Sequence, residues 1–197
     1  ETFLELATWY RELDQNDDAF MVLSMAPETA EILYWLAFLK RNSTEGEILL
    51  QKAITASPLL SFPFREASVP VLEWAIQKDR GWKPKYYLGL IYWHKNNLAK
   101  ATDLFGQCGT EPDFAPFYAG RANLVDEKKT EQKIADLKHA IQLDTEQWRY
   151  YKLLTEYYNH QKKYDLALSV VEPFYHRHPG DYIMGMLYAK TLLLNKK

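Results

Sequence analysis

The sequence predicts an all-α chain built as a stack of helical hairpins, and three observations predict it. The stretch from Trp82 to Pro112 holds Leu88-Gly89-x2-Tyr92, then Ala101-x3-Phe105, then Pro112. Gly89 and Ala101 have almost no side chain, so two antiparallel helices can approach closely there. Leu88, Tyr92 and Phe105 fill the space around that contact, and Pro112 stops the second helix from continuing. Second, the pattern recurs, because Gly89 to Thr155 and Ala101 to Ala167 are each separated by 66 residues. Third, apolar residues recur at helical spacing along the rest of the chain, with polar turns between the segments.

The first pair runs roughly from Thr2 to Ala26. Leu6-Ala7-x2-Tyr10 opens it, Ala19-x3-Leu23-x2-Ala26 forms its second helix, and Asp14 to Asp17 is the turn. Pro27 is placed to begin the next helix at its first turn. The second pair, about residues 28–57, has Ile32, Leu33, Leu36 and Ala37 on one helix, and Leu49, Ala53 and Ile54 on the other. Asn42-Ser43 reads as its turn. Residues 58–67 are too proline-broken to be helical, and Ser68 is expected to cap a single helix ending near Asp79. Three regular units are expected over 82–181. The middle one, Phe114 to Asp144, is degenerate, and its two halves need a one-residue shift to align. The last unit carries Tyr151, Leu154, Thr155 and Tyr158, then Tyr164 and Ala167. Residues 182–197 form one more helix with Ala189 at the small position. The whole of 1–197 is expected to be one array of about twelve helices.

These motifs resemble the tetratricopeptide repeat (TPR), a helix-turn-helix unit of 34 residues. The resemblance covers most of the chain and is tightest in the first, third and fifth units. It implies a right-handed superhelix in which stacked units bury a core that no unit buries alone. It also implies that the first helix of each unit lines a concave groove. Carried onto this sequence, groove positions are Lys83, Tyr86, Leu90, Trp93 and His94 in the third unit. In the fourth they are Tyr118, Ala122 and Val125, and in the fifth Arg149, Lys152, Glu156 and Asn159. Tyr86 and Leu90 stand where TPR domains that grip a C-terminal carboxylate carry Lys and Asn, although Arg149 and Lys152 can still hold one acidic group. An aromatic groove could instead receive an apolar peptide, a neighbouring domain or a sugar face. The opposing expectation is that Tyr86 and Trp93 only pack against the preceding unit. Phe62, Phe64 and Arg65 are either a binding element, or Phe62 and Phe64 plug the gap between two half-arrays while Arg65 pairs with a carboxylate or a helix end, and the second is preferred. The order of helices, with SPLLSFPFRE leading into VLEWA and YYLGLIYW, also resembles the C-terminal helical tail of large bacterial proteins whose N-terminal domain is similar to aldose epimerases. That likeness implies the alternative of an accessory region of a carbohydrate-processing enzyme with its chemistry elsewhere.

Composition narrows function. A net charge of −2 gives no general attraction to nucleic acid or anionic membrane. Lys128-Lys129 and Lys162-Lys163 are short pairs offset by acids. The longest apolar run, Ile32 to Leu39, is too short to span a bilayer. The single Cys108 excludes an intrachain disulfide framework and falls at a packing position, where a buried thiol is expected. His176 and His178 are two apart and cannot ligate jointly as an i,i+4 pair would. No phosphate-cradling glycine loop, nucleophile elbow or zinc-protease motif is present. The chain is therefore expected to be a non-enzymatic scaffold without cofactor or metal, binding a protein, a peptide or another domain of its own chain. A chain opening at Glu1 rather than Met is expected to be a segment of a longer one, from which a targeting signal can have been removed. A cytoplasmic location is favoured.

Overall fold

A computed structural model of the chain describes residues 2–126 and 129–196. Lys128 of the lysine pair lies outside them. The described residues form twelve α-helices and no strand, and the chain divides into two compact units, Glu1–Pro112 and Asp113–Lys197.

In the first unit, α1 (Thr2–Glu12) and α2 (Asn16–Ser24) make one hairpin, and α3 (Ala30–Leu39) and α4 (Thr44–Thr55) the next. A 3₁₀ turn (Glu66–Ser68) leads into the single helix α5 (Val69–Lys78), which packs on α3 and on α6 (Lys83–His94). Helix α6 pairs with α7 (Leu98–Gln107). In the second unit, α8 (Ala115–Leu124) pairs with α9 (Thr130–Leu143), and α10 (Trp148–His160) with α11 (Tyr164–Arg177). Helix α12 (Tyr182–Leu194) closes on α11 and α10.

The hairpin turns carry the repeat in their backbone. Asp14, Asn96 and Lys162 are left-handed at φ 59°, 58° and 57°. In each case the next amide donates back to a tyrosine carbonyl: Gln15 to Tyr10 at 2.8 Å, Asn97 to Tyr92 at 2.8 Å, and Lys163 to Tyr158 at 2.9 Å. This left-handed stop reverses the chain within three residues and satisfies a carbonyl that the helix end leaves open. Asn and Asp tolerate the conformation, whereas a long side chain such as Lys162 is strained by it. Lys162→Gly is expected to raise unfolding stability by about 0.5–1 kcal/mol. Urea denaturation followed by circular dichroism checks this.

Two helix starts differ from the sequence reading. Helix α3 is capped by Thr29, whose side chain accepts from the Ile32 amide, so Pro27 precedes the cap rather than opening the helix. Ser68 does not cap α5 through its side chain. Its hydroxyl is drawn sideways: it accepts from Trp35 Nε1 at 2.9 Å and donates to Glu31 Oε1 at 2.7 Å. Side-chain caps do form elsewhere, with Ser43 accepting from the Gly46 amide and Asp181 from that of Met184.

That sideways bond explains why α3 lacks the repeat signature. Residues 32–37 are all buried, and the helix is apolar on every side, as a helix enclosed all round must be. Glu31 and Trp35, one turn apart, face the 3₁₀ turn, and Arg11 of α1 donates to the Ala67 carbonyl beside it. The linker therefore lies on a face of α3 that a regular hairpin would leave open. Ser61, Pro63 and Ser68 are its buried residues, whereas Phe62 and Phe64 are 56% and 38% exposed. The phenyl rings do not plug the array; small side chains and backbone do.

In the second unit the core is continuous from hairpin to hairpin. Ala122, Leu137, Leu154, Tyr158 and Ala167 form one cluster, and Tyr151, Leu168, Val171, Phe174, Met184 and Leu187 the next. Ile141 and Val170 pack against both. Ala189, assigned to the small packing position of α12, is exposed, while Tyr188 and Leu192 pack on the second cluster.

Candidate interaction surfaces

The repeat pattern points the aromatic residues of α6 into a groove, and the structure corrects this. Tyr86 is buried, at 3% exposure, with its ring 5.4 Å from that of Phe105 on α7. Trp93 is half-buried and meets the same phenyl edge-on at 5.9 Å. Residues 82, 86, 89 and 93 fall on one side of a helix. Gly89 is on that side, and a Cβ there would lie 2.8 Å from the Phe105 ring. The glycine that lets α7 approach therefore also points Tyr86 and Trp93 at α7. Packing in their own hairpin takes these two residues away from a groove.

Lys83 is half-buried, and its ammonium donates to the Ile54 and Ala56 carbonyls, both at 2.6 Å. It closes the C-terminal end of α4, where a cation opposes the helix dipole. Leu90 is half-buried, and His94 is exposed. Tyr118, Ala122 and Val125 are all buried, Tyr118 with its ring 4.4 Å from that of His139. The cause is Arg121, which is 7% exposed and held by Asp136 of α9 through Nε to Oδ2 at 2.9 Å and Nη2 to Oδ1 at 2.7 Å. Seating this pair turns the flanking residues of α8 inward. On α10, Arg149 is exposed over Trp148, and Lys152 and Glu156 face each other at 3.7 Å. Asn159 donates to Thr191 of α12 at 2.8 Å and ties two helices together.

The linker gathers the largest exposed group of functional candidates in the first unit. Arg65 donates to Glu5 of α1 at 3.1 Å, and its guanidinium lies 4.4 Å from the Phe64 ring centre. Phe64 meets His94 edge-on at 5.5 Å, and Lys95 is paired with Glu66 at 2.7 Å. These residues, with Thr8, Trp9 and Glu12 of α1, enclose an open cleft of about 450 Å³. Trp9 is 70% exposed. The groove positions carried over from the resemblance lie in the third to fifth units alone, so Trp9 is not among them. Yet Glu5, Trp9 and Glu12 stand at i, i+4 and i+7, a spacing that puts them on one helix face.

A second, smaller hollow of about 280 Å³ lies under the linker, lined by Phe3, Ile32, Leu60, Phe62 and Glu31 among others. Burial pushes the Glu31 carboxyl above its ordinary value, against the opposing pull of the Ser68 hydroxyl and the Arg65 charge. Folded Glu31 holds its proton more tightly than unfolded Glu31. Its contribution to stability is thus present below the unfolded value near 4.5 and lost as pH rises through the raised folded value. Glu31→Gln is expected to flatten this falling limb. Midpoints of thermal unfolding measured from pH 4 to 8 for both proteins test it, and parallel curves would contradict the assignment.

Among the described residues no three His, Cys, Asp or Glu side chains are grouped to hold a metal ion, and no helix is long and apolar enough to cross a membrane. No protein-family model and no curated protein matches the sequence. Solved structures do. A thermophilic TPR protein of Thermus thermophilus aligns over 98% of this chain and 98% of its own, with 19% identity and a TM-score of 0.51. A TPR protein from Parabacteroides merdae aligns over 100% of this chain and 73% of its own at 14% identity, with a TM-score of 0.52. The C-terminal part of a TPR repeat-containing protein from Cytophaga hutchinsonii aligns over 94% and 86% at 14% identity, with a TM-score of 0.50. Similarity at this level of identity speaks to architecture, and with the hairpin turns and close-packed Gly89 it establishes that this chain has the tetratricopeptide-repeat fold.

Proposed function

We propose that the chain is a non-enzymatic interaction scaffold that receives a protein, a peptide or another domain of its own chain on the outer edge of the linker. The observation that carries this is the exposure of the edge. Leu59, Leu60 and Phe62 are 66%, 85% and 56% exposed, with Phe64 exposed two residues on, while Ser61, Pro63 and Ser68 are buried. Contiguous exposed apolar side chains rimmed by charge are what interaction sites present. Leu60 is also left-handed at φ 61°, a conformation that costs a branched side chain energy and holds its apolar tip outward.

A photo-crosslinking residue placed at position 62 tests the reading, with one at the exposed Lys138 of α9 as control. Adducts from position 62 that are absent from position 138 are expected. Their mass separates a partner protein from a neighbouring domain of the same chain. No adduct from 62, or equal labelling from 138, overturns the reading.

A further inference from the structure

Three aromatic rings in the first unit already carry a cation and a carboxylate together or in sequence. Lys40 lies 4.9 Å from the Phe20 ring centre and 2.7 Å from Asp17. Arg65 lies 4.4 Å from the Phe64 ring centre and 3.1 Å from Glu5. Arg11 lies 5.6 Å from the ring of Trp35, whose helix neighbour Glu31 is one turn away. Trp9, by contrast, stands between Glu5 and Glu12 on the exposed face of α1 and has no cation over it among the described residues. Glu12 is exposed, and no described residue pairs with its carboxylate. Both cations of the cleft are already engaged, Arg65 by Glu5 and Lys95 by Glu66.

We propose that this cleft is a seat for a lysine or arginine side chain of a basic partner segment, held over the Trp9 indole and against the Glu12 carboxylate. The proposal rests on the reading of the chain as an interaction scaffold and names the partner's chemistry. An indole face attracts a cation through its quadrupole, more strongly than a phenyl or phenol ring does. A neighbouring carboxylate adds a charge-assisted hydrogen bond. The Phe64 and His94 rings also line the cleft and offer apolar surface to the aliphatic stem of such a side chain. Arg65 shows the arrangement at work within the chain itself. An acidic partner meets the reverse situation, since Glu12 repels it and Arg65 and Lys95 are already neutralised.

Isothermal titration of the full chain with a capped hexa-arginine peptide, and separately with capped hexa-glutamate, tests this at physiological salt. Trp9→Ala is expected to weaken hexa-arginine binding about tenfold, and Glu12→Gln about fivefold. Glu47→Gln, which removes the same charge from exposed α4, is expected to change it less than about twofold. Because Trp9→Ala alters an exposed residue and no charge, it separates the seat from general attraction to an acidic surface. Equal binding by Trp9→Ala and wild type, equal effects of Glu12→Gln and Glu47→Gln, or tighter binding of hexa-glutamate would each overturn the proposal. Any of these results leaves the crosslinking outcome at position 62 standing, so the two readings fail separately.

Discussion

Phe105→Ala is expected to destabilise the first unit by about 3–5 kcal/mol, the range for emptying a fully enclosed aromatic site. Phe105 has no solvent exposure, and its ring is contacted by Tyr86 at 5.4 Å and Trp93 at 5.9 Å, with Gly89 directly opposite. Collapse into the space is blocked because Tyr86 is itself held by Trp82 at 5.8 Å and Tyr87 at 5.5 Å. The reciprocal change, Gly89→Ala, sets two effects against each other. Alanine is favoured over glycine within a helix by about 1 kcal/mol. Its Cβ would however stand 2.8 Å and 2.9 Å from two Phe105 ring atoms. A ring held on both flanks cannot swing away, so overpacking of about 1–3 kcal/mol wins. Gly89→Ala in a Phe105→Leu background should then recover part of that loss, a coupling that a double-mutant cycle in urea measures. Additive losses would show that the two residues do not share a contact.

Asp136→Asn is expected to cost about 3–5 kcal/mol, comparable with the loss of Phe105 although no cavity is made. Asp136 and Arg121 are 4% and 7% exposed, and the two bonds of the pair are in bidentate geometry. Asparagine keeps the shape of the carboxylate but removes the charge that both bonds to the guanidinium use, at a site where water screens little. The Phe117 and Tyr118 rings, 5.0 Å and 5.2 Å from the guanidinium, soften but do not replace the lost carboxylate. Replacing both partners together, as Arg121→Met with Asp136→Leu, removes the buried guanidinium along with its carboxylate and is expected to restore stability to near the wild-type level. A unit of this size has only about 5–15 kcal/mol in hand, so Asp136→Asn removes a large share of it. Chemical denaturation of the three proteins decides the matter. A double variant as weak as the single one would mean that the pair supplies net stability rather than order.

The two variants also mark what sequence can and cannot convey. Gly89, Ala101 and Phe105 are legible because a close helix crossing demands a small residue at a fixed distance from a large one. The turns are legible because Asp14 and Asn96 suit a left-handed residue. Which helix face meets solvent is less so, since a rotation of one residue step moves a side chain by roughly 100° around the axis. Tyr86 and Trp93 sit one step from the open side and belong to the core. Arg121 carries no sign of burial in its own segment, because only its partner fifteen residues later makes that burial tolerable. Pairings of that kind leave no periodic trace. The prolines of the linker announce its irregularity. They do not announce that Ser68 turns from its helix to bind Trp35 and Glu31, which depends on three segments meeting. Trp9 leaves little signal of its exposure, as a lone aromatic at a helix midpoint looks like core.

Cys108 offers a consequence of a different kind. The thiol is 1% exposed, donates toward the Leu104 carbonyl at 3.3 Å and lies 3.5 Å from that of Trp82. It is the only cysteine in 197 residues. A thiol reagent can therefore reach sulfur only when the C-terminal end of α7 opens away from the start of α6. The labelling rate divided by that of the denatured chain reads the opening free energy of one hairpin without any engineered probe. In the presence of a bound partner, slower labelling would mean that occupancy of the linker edge is transmitted to the α6–α7 contact, and an unchanged rate that it is absorbed locally. The protein carries its own clock for breathing motions in the repeat built around Gly89 and Phe105.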